Sequence, residues 1–463
     1  MAKSPFLTTE DIKTCFSLFC VVCGIGTLSM PANYARAGYV WATIATVFMA
    51  AINVYASVCI SKLMLAAPRG VKTLGDIGDW VFGAYGRAAM TVAYLLSCTM
   101  ASIMFLVLGG SILVELFPSS YDDTTWIILM AASLLPLCLV PTVQESAGTA
   151  TAGAIGIILA DGIALYLLGT NVNAPEGVSA PRPEITLSGI TTAFGSLSLA
   201  YAAGTIIPTL QREHSQPERM PRVITVTLTI VSVFFLLVSV LGDFKVGCQI
   251  PGNLLFAITG DKLGFTASRG GIILAYLFMF IHIAIAFGLV LFPTLFFFER
   301  VLLGMHKEAA QPEYIDVETP KDSATTDESE AHYDASEAYK APGAYLKAAI
   351  VRTVIVIVCV VIAIVFKNKF SDLLDFVGAS TTSTCCIILP MVFYLKQFYA
   401  TLPLLEKVFA LVSIVVTTAL AIYVTIQTGT NLFAPADAAA VCFPYCAAEF
   451  QHYVFTNHTH FQF

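Results

Sequence analysis

Charge is what this sequence has least of. Only 12% of its 463 residues are Asp, Glu, Lys or Arg, where a soluble domain carries roughly 25%. With 57% apolar residues, too little polar surface remains to wrap a water-soluble fold. A bilayer core takes ~20 predominantly apolar residues per helix, so the composition fits a chain spent largely on membrane spans. Other absences narrow the function. There is no basic stripe or nucleic-acid motif, so no nucleic-acid partner is expected. No nucleophile–His–Asp set, metal-ligand cluster or phosphate loop appears at helical spacing, so neither an enzyme nor a resident cofactor is implied. No span carries a sustained polar face of the kind a channel pore needs. The first apolar run, from Cys15 to Met30-Pro31, lacks a small-residue cleavage site, so a removed signal peptide is not expected.

Cysteine is present twelve times, but no pair has zinc-site spacing backed by histidines. Nine (Cys15, Cys20, Cys23, Cys59, Cys98, Cys138, Cys359, Cys385 and Cys386) fall within or at the ends of apolar runs and read as small apolar residues. Cys248, Cys442 and Cys446 lie outside them.

Apolar stretches of membrane length fall near 13–36, 40–66, 88–116, 125–145, 148–169, 188–211, 223–241, 270–298, 348–366, 373–395 and 403–428. That predicts an all-α integral membrane protein of about eleven helices. Residues 1–12 form a short cytosolic N-terminus, 13–430 the transmembrane domain and 431–463 an extracytosolic tail. With the N-terminus in the cytosol, 17 Lys and Arg lie inside and 7 outside, and 11 against 7 without the long eighth-to-ninth loop. That is the positive-inside bias. The loop, Glu299 to Lys347, holds eleven acidic and five basic residues. It cannot bury a core and reads as disordered. The global charge of −7 therefore describes one loop rather than a ligand. Eleven spans put the tail outside, where the sequon at Asn457 can be glycosylated. A disulfide among Cys248, Cys442 and Cys446 is expected on that oxidising side.

Two spans are interrupted. The first carries Cys23-Gly24-Ile25-Gly26-Thr27 with Pro31 beyond, and the sixth carries Ala200-Tyr201-Ala202-Ala203-Gly204-Thr205 with Pro208 beyond. These are corresponding positions of two five-helix halves of opposite topology. Unwound backbone within a membrane is tolerated only where it lines a cavity. Half-helix N-termini suit a carboxylate, and unwound carbonyls suit an ammonium group. A zwitterion matches a site offering both.

These motifs resemble the amino acid/auxin permease family of the amino acid–polyamine–organocation superfamily. The first-span run Gly24 to Pro31 followed by Ala37-Gly38-Tyr39 is similar to that family's signature. So are Gly75-Asp76-Ile77-Gly78-Asp79 with Phe82-Gly83 and Gly86-Arg87, and Tyr201 to Pro208 with Gln211-Arg212 and Pro217 to Pro221. Gly242, Gly247 and Asn253-Leu254-Leu255, then Phe376 to Ala379, Leu389-Pro390 and Tyr394-Leu395, extend the likeness along nearly the whole chain. The resemblance implies a LeuT-like inverted repeat of five plus five helices with one added. It further implies secondary transport of amino acids by alternating access, with H⁺ or Na⁺. The substrate carboxylate would meet the N–H groups of Ile25, Gly26 and Thr27, beside Gly24. The ammonium would meet carbonyls near Val22 and of Leu199 and Ala200, with Tyr201 as a neighbouring gate and Gly204 in the same break. Where many members have Gly-His, this chain reads Ala203-Gly204-Thr205, so no role for that histidine carries over.

Sodium-coupled relatives of the fold use side-chain oxygens on spans one and eight. Cys20-Val21-Val22-Cys23 and His282 to Gly288 offer neither hydroxyl nor carboxylate, so proton coupling or none is expected. Asp161 in span five and His282 in span eight are the ionisable groups within spans that mark a proton path. The competing expectation is a non-transporting amino-acid sensor on the same fold. No sorting signal separates a plasma-membrane from a vacuolar or lysosomal site.

Overall fold

The computed structural model describes residues 5–68, 70–141, 147–259, 263–265, 267–306, 338–434, 443 and 445–456. In lipid every backbone N–H and C=O must be paired inside the segment, so long apolar runs become helices. Among the described residues the only strand-like pairing is an isolated bridge between Pro183 and Cys446.

The first crossing is built from three pieces: α1 (Thr9–Val22), α2 (Ile25–Leu28) and the opening turns of α3 (Met30–Ala66). Gly38, at φ 71°, bends α3 and starts the second crossing. In α4 (Leu74–Leu116), Thr73 and Asp76 cap each other's backbone and Gly83, at φ 65°, divides a short first segment from the third crossing. Then follow α5 (Asp123–Leu139), capped by Asp122, and α6 (Ala147–Asn171). The sixth crossing is α7 (Leu187–Ala200), a 3₁₀ turn at Ala202–Thr205 and α8 (Ile207–Glu213). Next come α9 (Met220–Phe244), the short α10 (Leu254–Ala257), α11 (Arg269–Leu303) and α12 (Ala344–Phe366). The tenth crossing joins α13 (Phe370–Val377), π-helical turns over Gly378–Thr382 and Thr384–Ile388, and α14 (Leu389–Phe398); α15 (Leu404–Phe433) closes the set.

Nine helices among the described residues are long and apolar enough to cross a membrane. The 17-residue α5 and the segmented first crossing bring the total to the eleven expected. The fourth crossing ends at Leu139, earlier than predicted, and α6 is a separate helix. α1 packs on α6 and α9, α3 on α7 and α9, and α11 on α4 and α6, so the broken crossings lie inside. On α12, Val354, Ile357 and Val361 are exposed, as lipid-facing residues are. Close approach rests on small residues: a Cβ at Gly378 would fall 1.8 Å from the Gly195 carbonyl oxygen.

Two expected segments shift. α1 starts at Thr9, inside the expected N-terminal tail. Glu299, assigned to the acidic loop, is buried in α11 and bonded 2.5 Å from Arg352 Nε. The loop residues 307–337, Cys442 and Asn457 lie outside the described residues.

Candidate functional site

The chain leaves helical geometry at Cys23 (φ −87°, ψ 92°) and Gly24 (φ −148°, ψ −125°), then resumes at Ile25. The Thr27 amide donates to the Gly24 carbonyl at 3.1 Å and its hydroxyl does so at 2.9 Å. Ser29 returns its hydroxyl to the Gly26 carbonyl at 2.8 Å. Of the three amides expected to face a carboxylate, Thr27 is therefore spent locally. Those of Ile25 and Gly26 have no acceptor among the described residues. In the sixth crossing α7 stops at Tyr201 (φ −92°, ψ 29°), and the Ala203 amide turns back onto the Tyr201 carbonyl at 2.6 Å.

The two breaks touch. A Cβ at Gly26 would lie 2.5 Å from both Cα and Cβ of Ala200. Val22 and Leu199 are buried at the ends of the two helical halves. Tyr201 is fully buried, but its hydroxyl donates to Ser232 on α9 at 2.7 Å and its ring meets Phe235 edge-on. Its side chain thus anchors the unwound turn to the seventh crossing. Gly204 faces the second and tenth crossings, where a Cβ would lie 3.0 Å from Ile60 Cδ1 and 3.1 Å from Cys386 Sγ.

Asp161 and His282 lie beside the first break. A Cβ at Gly24 would come 2.8 Å from Nε2 of His282, which has no hydrogen-bond partner among the described residues, while its Nδ1 lies 3.2 Å from the Gly153 carbonyl. Cys20 fills the same corner, 2.5 Å from a Cβ built on Gly153. Asp161 is completely buried, neither carboxyl oxygen has a partner among the described residues, and it lies within electrostatic range of Cys23. Such unpaired buried groups are costly.

Each end of the site is bridged by ions that sequence reading missed. At one end Arg36 Nη1 reaches Asp375 Oδ2 at 2.6 Å, joining the first crossing to α13. Its Nη2 donates to Asn33 at 2.7 Å and Ser196 at 3.2 Å. At the opposite end, Asp11 accepts from Arg219 Nη2 at 2.6 Å and Nε at 2.9 Å, and lies 3.0 Å from His214 Nε2. Arg219 also binds the carbonyls of Pro5 and Phe6, and Glu10 accepts from the Ser215 amide at 2.8 Å. Asp11 sits before the apolar stretch that crosses the membrane. Burial pushes its carboxyl up, but hydrogen bonds from Arg219 and Thr8 and the Arg219 charge outweigh this and hold it at about 2. The available signal was one of type: Arg36 interrupts an otherwise neutral run from Cys15 to Ile60.

A family described as transmembrane amino acid transporter protein matches residues 8–430. Amino acid transporter AVT1I of Arabidopsis thaliana is 28% identical over 280 residues, covering 55% of this chain and 65% of that protein. AVT1J of the same plant is 26% identical over 273 residues, covering 56% and 63%. Vacuolar amino acid transporter 3 of Schizosaccharomyces pombe is 21% identical over 283 residues, covering 60% and 41%. The matched stretch thus spans less than two thirds of each of these curated relatives. Among solved structures, MhsT in complex with L-phenylalanine superposes with a TM-score of 0.55 at 11% identity, covering 90% of this chain and 98% of MhsT. A mutant manganese transporter of Eremococcus coleocola gives 0.52 at 11% identity, covering 92% and 89%. The likeness is one of fold, and that fold is LeuT-like.

Proposed function

The chain belongs to the transmembrane amino acid transporter protein family, and we propose that it is a secondary active transporter moving amino acids by alternating access. The observation that carries this reading is the contact of the two interrupted crossings at Gly26 and Ala200, with the Ile25 and Gly26 amides left without acceptors. Paired amides at the start of a half-helix favour a carboxylate, and unwound carbonyls nearby favour the ammonium of the same zwitterion. Thr27 contributes through its hydroxyl, which holds the Gly24 carbonyl and so shapes the turn.

The two ionic bridges supply the alternation. Separating Arg36 from Asp375 opens the extracytosolic end, and separating Asp11 from Arg219 opens the cytosolic end. With both made, the substrate region is closed on both sides. Coupling is to H⁺, or absent, rather than to Na⁺. Where crossings one and eight meet, the chain presents the imidazole of His282 against Gly24 instead of the oxygen side chains that a sodium ion needs. His282 and Asp161 are the groups that take and release the proton. The protein is an integral, multi-pass membrane protein, and we place it in a vacuole-type membrane on the likeness to the S. pombe relative.

The test is uptake of radiolabelled amino acids by proteoliposomes under an imposed pH gradient, an imposed sodium gradient, or neither. Transport that ignores sodium is expected. Sodium-dependent uptake overturns the coupling, and saturable binding without flux overturns the transport.

A further inference from the structure

The family match ends at residue 430, yet the chain beyond α15 comes back onto the molecule. Cys446 is disulfide-bonded to Cys248, 198 residues earlier, in the turn after α9. Gln249, next to that cysteine, is fully buried and spends its side-chain amide on the returning chain. Its Nε2 donates to the carbonyls of Phe450 at 3.1 Å and Tyr453 at 2.7 Å, and its Oε1 accepts from the Phe455 amide at 3.1 Å. Thr456 adds a hydroxyl bond to the Leu263 carbonyl at 2.7 Å. Cys446 also pairs with Pro183 from the loop before α7. Residues 445–456 therefore lie across two extracytosolic loops, sewn down at several points. Their leading residue faces the outer ionic bridge: the ring centroid of Tyr445 is 5.9 Å from Cζ of Arg36. The Tyr445 hydroxyl sits 4.0 Å from where a Cβ at Gly252 would be.

We propose that residues 445–456 form a strap over the extracytosolic end, with Tyr445 as a positioning residue that holds Arg36 on Asp375 and the Cys248–Cys446 bond as its fastener. The proposal rests on the alternating-access reading above. Opening the outer end requires the segment carrying Arg36 to leave α13. While the strap is down, that movement must also lift the guanidinium off an aromatic face. A guanidinium–aromatic contact of this kind shifts an opening equilibrium by about 2- to 30-fold. The fastener lies on the side where disulfides persist, so the strapped form is the resting form. A dithiol reductant on that side donates two electrons and two protons, leaving thiols at Cys248 and Cys446 and an oxidised, cyclic reductant. The strap then keeps only its hydrogen bonds.

The test needs no substrate. The full chain is placed in nanodiscs, and amide hydrogen exchange is followed by mass spectrometry in peptides covering residues 30–38 and 370–377. Tyr445→Ala and dithiothreitol-treated wild type are expected to exchange several-fold faster there, with α5 and α12 unchanged. Tyr445→Phe, which keeps the ring but gives up the hydroxyl's bond to Ser371, should match wild type over 30–38. Cys446→Ser should exchange fast with or without reductant. Equal protection in Tyr445→Ala and wild type overturns the positioning role. Acceleration spread evenly over all helices overturns it too, because it marks general loss of stability. Reduction that frees residues 445–456 without altering 30–38 overturns the fastener. None of these outcomes touches the transport reading, which stands or falls on flux.

Discussion

Replacing Gly26 by Ala tests the junction of the two broken crossings. The added Cβ would meet Cα and Cβ of Ala200 at 2.5 Å, well inside the ~3.5–4.0 Å of a carbon contact at its optimum. The two unwound segments must therefore separate by about 1 Å. Half of that obstacle is backbone, so rotamer changes cannot absorb it. Overpacking of this kind costs about 1–3 kcal/mol. If the strain falls on the closed, substrate-holding arrangement, affinity drops by about 5- to 150-fold. Alanine is the better helix former, so local propensity works in the opposite direction and cannot produce the loss. Gly162→Ala on α6 is the control. No described residue lies within 4 Å of its Cβ, and the change should be neutral or stabilising by up to ~1 kcal/mol. Adding Ala200→Gly to Gly26→Ala removes one of the two close atoms and should restore part of the activity. Uptake by proteoliposomes and thermal unfolding in detergent read the two effects separately. Gly26→Ala transporting within twofold of wild type would refute the reasoning.

Three further outcomes follow from the same geometry. Asp161→Asn should abolish acid-driven uptake while substrate exchange survives, and unchanged acid stimulation would remove Asp161 from the proton path. Arg36→Ala leaves Asp375 buried without its cation. It should cost about 3–5 kcal/mol, seen as a lower unfolding temperature, and Arg36→Ala with Asp375→Ala should recover part of it; additive losses would mean that the pair is not a unit. Asp11 is held at about 2, below the ~3.9 of a free aspartate. Its bridge to Arg219 therefore contributes stability fully above pH ~4 and loses this only as pH falls towards 2. Amide protection of residues 9–13, corrected for intrinsic exchange, should be flat from pH 7.5 to 5, and a loss already at pH 5 would contradict the assignment.

The crossings were legible because lipid leaves the backbone no alternative to the helix. The breaks were legible for a related reason. Gly24, Gly26 and Pro31, and Gly204 and Pro208, disfavour an unbroken helix at matching places in two halves. Which way a side chain turns from such a break is decided by packing, and there sequence pattern stopped. Tyr201, expected to neighbour the substrate as a gate, bonds to Ser232, and Gly204 faces crossings two and ten. Arg36 and Asp375 are 339 residues apart. Nothing in either local run announces the partner, so Arg36 counted only as one outside charge. Asp11 passed as part of a solvated tail because its partners, His214 and Arg219, lie in the turn after the sixth crossing. Cys248 and Cys446 stood among three candidates for a disulfide, but only the fold brings the tail back to the turn after α9.

The central claim is that amino acids pass through the site where the two broken crossings meet. Purified protein in proteoliposomes, offered a panel of radiolabelled amino acids at two external pH values, tests it most directly. Saturable uptake that is faster at the acidic value, indifferent to sodium and weakened by Gly26→Ala is the predicted result. Binding without uptake, or uptake that Gly26→Ala leaves intact, would contradict it.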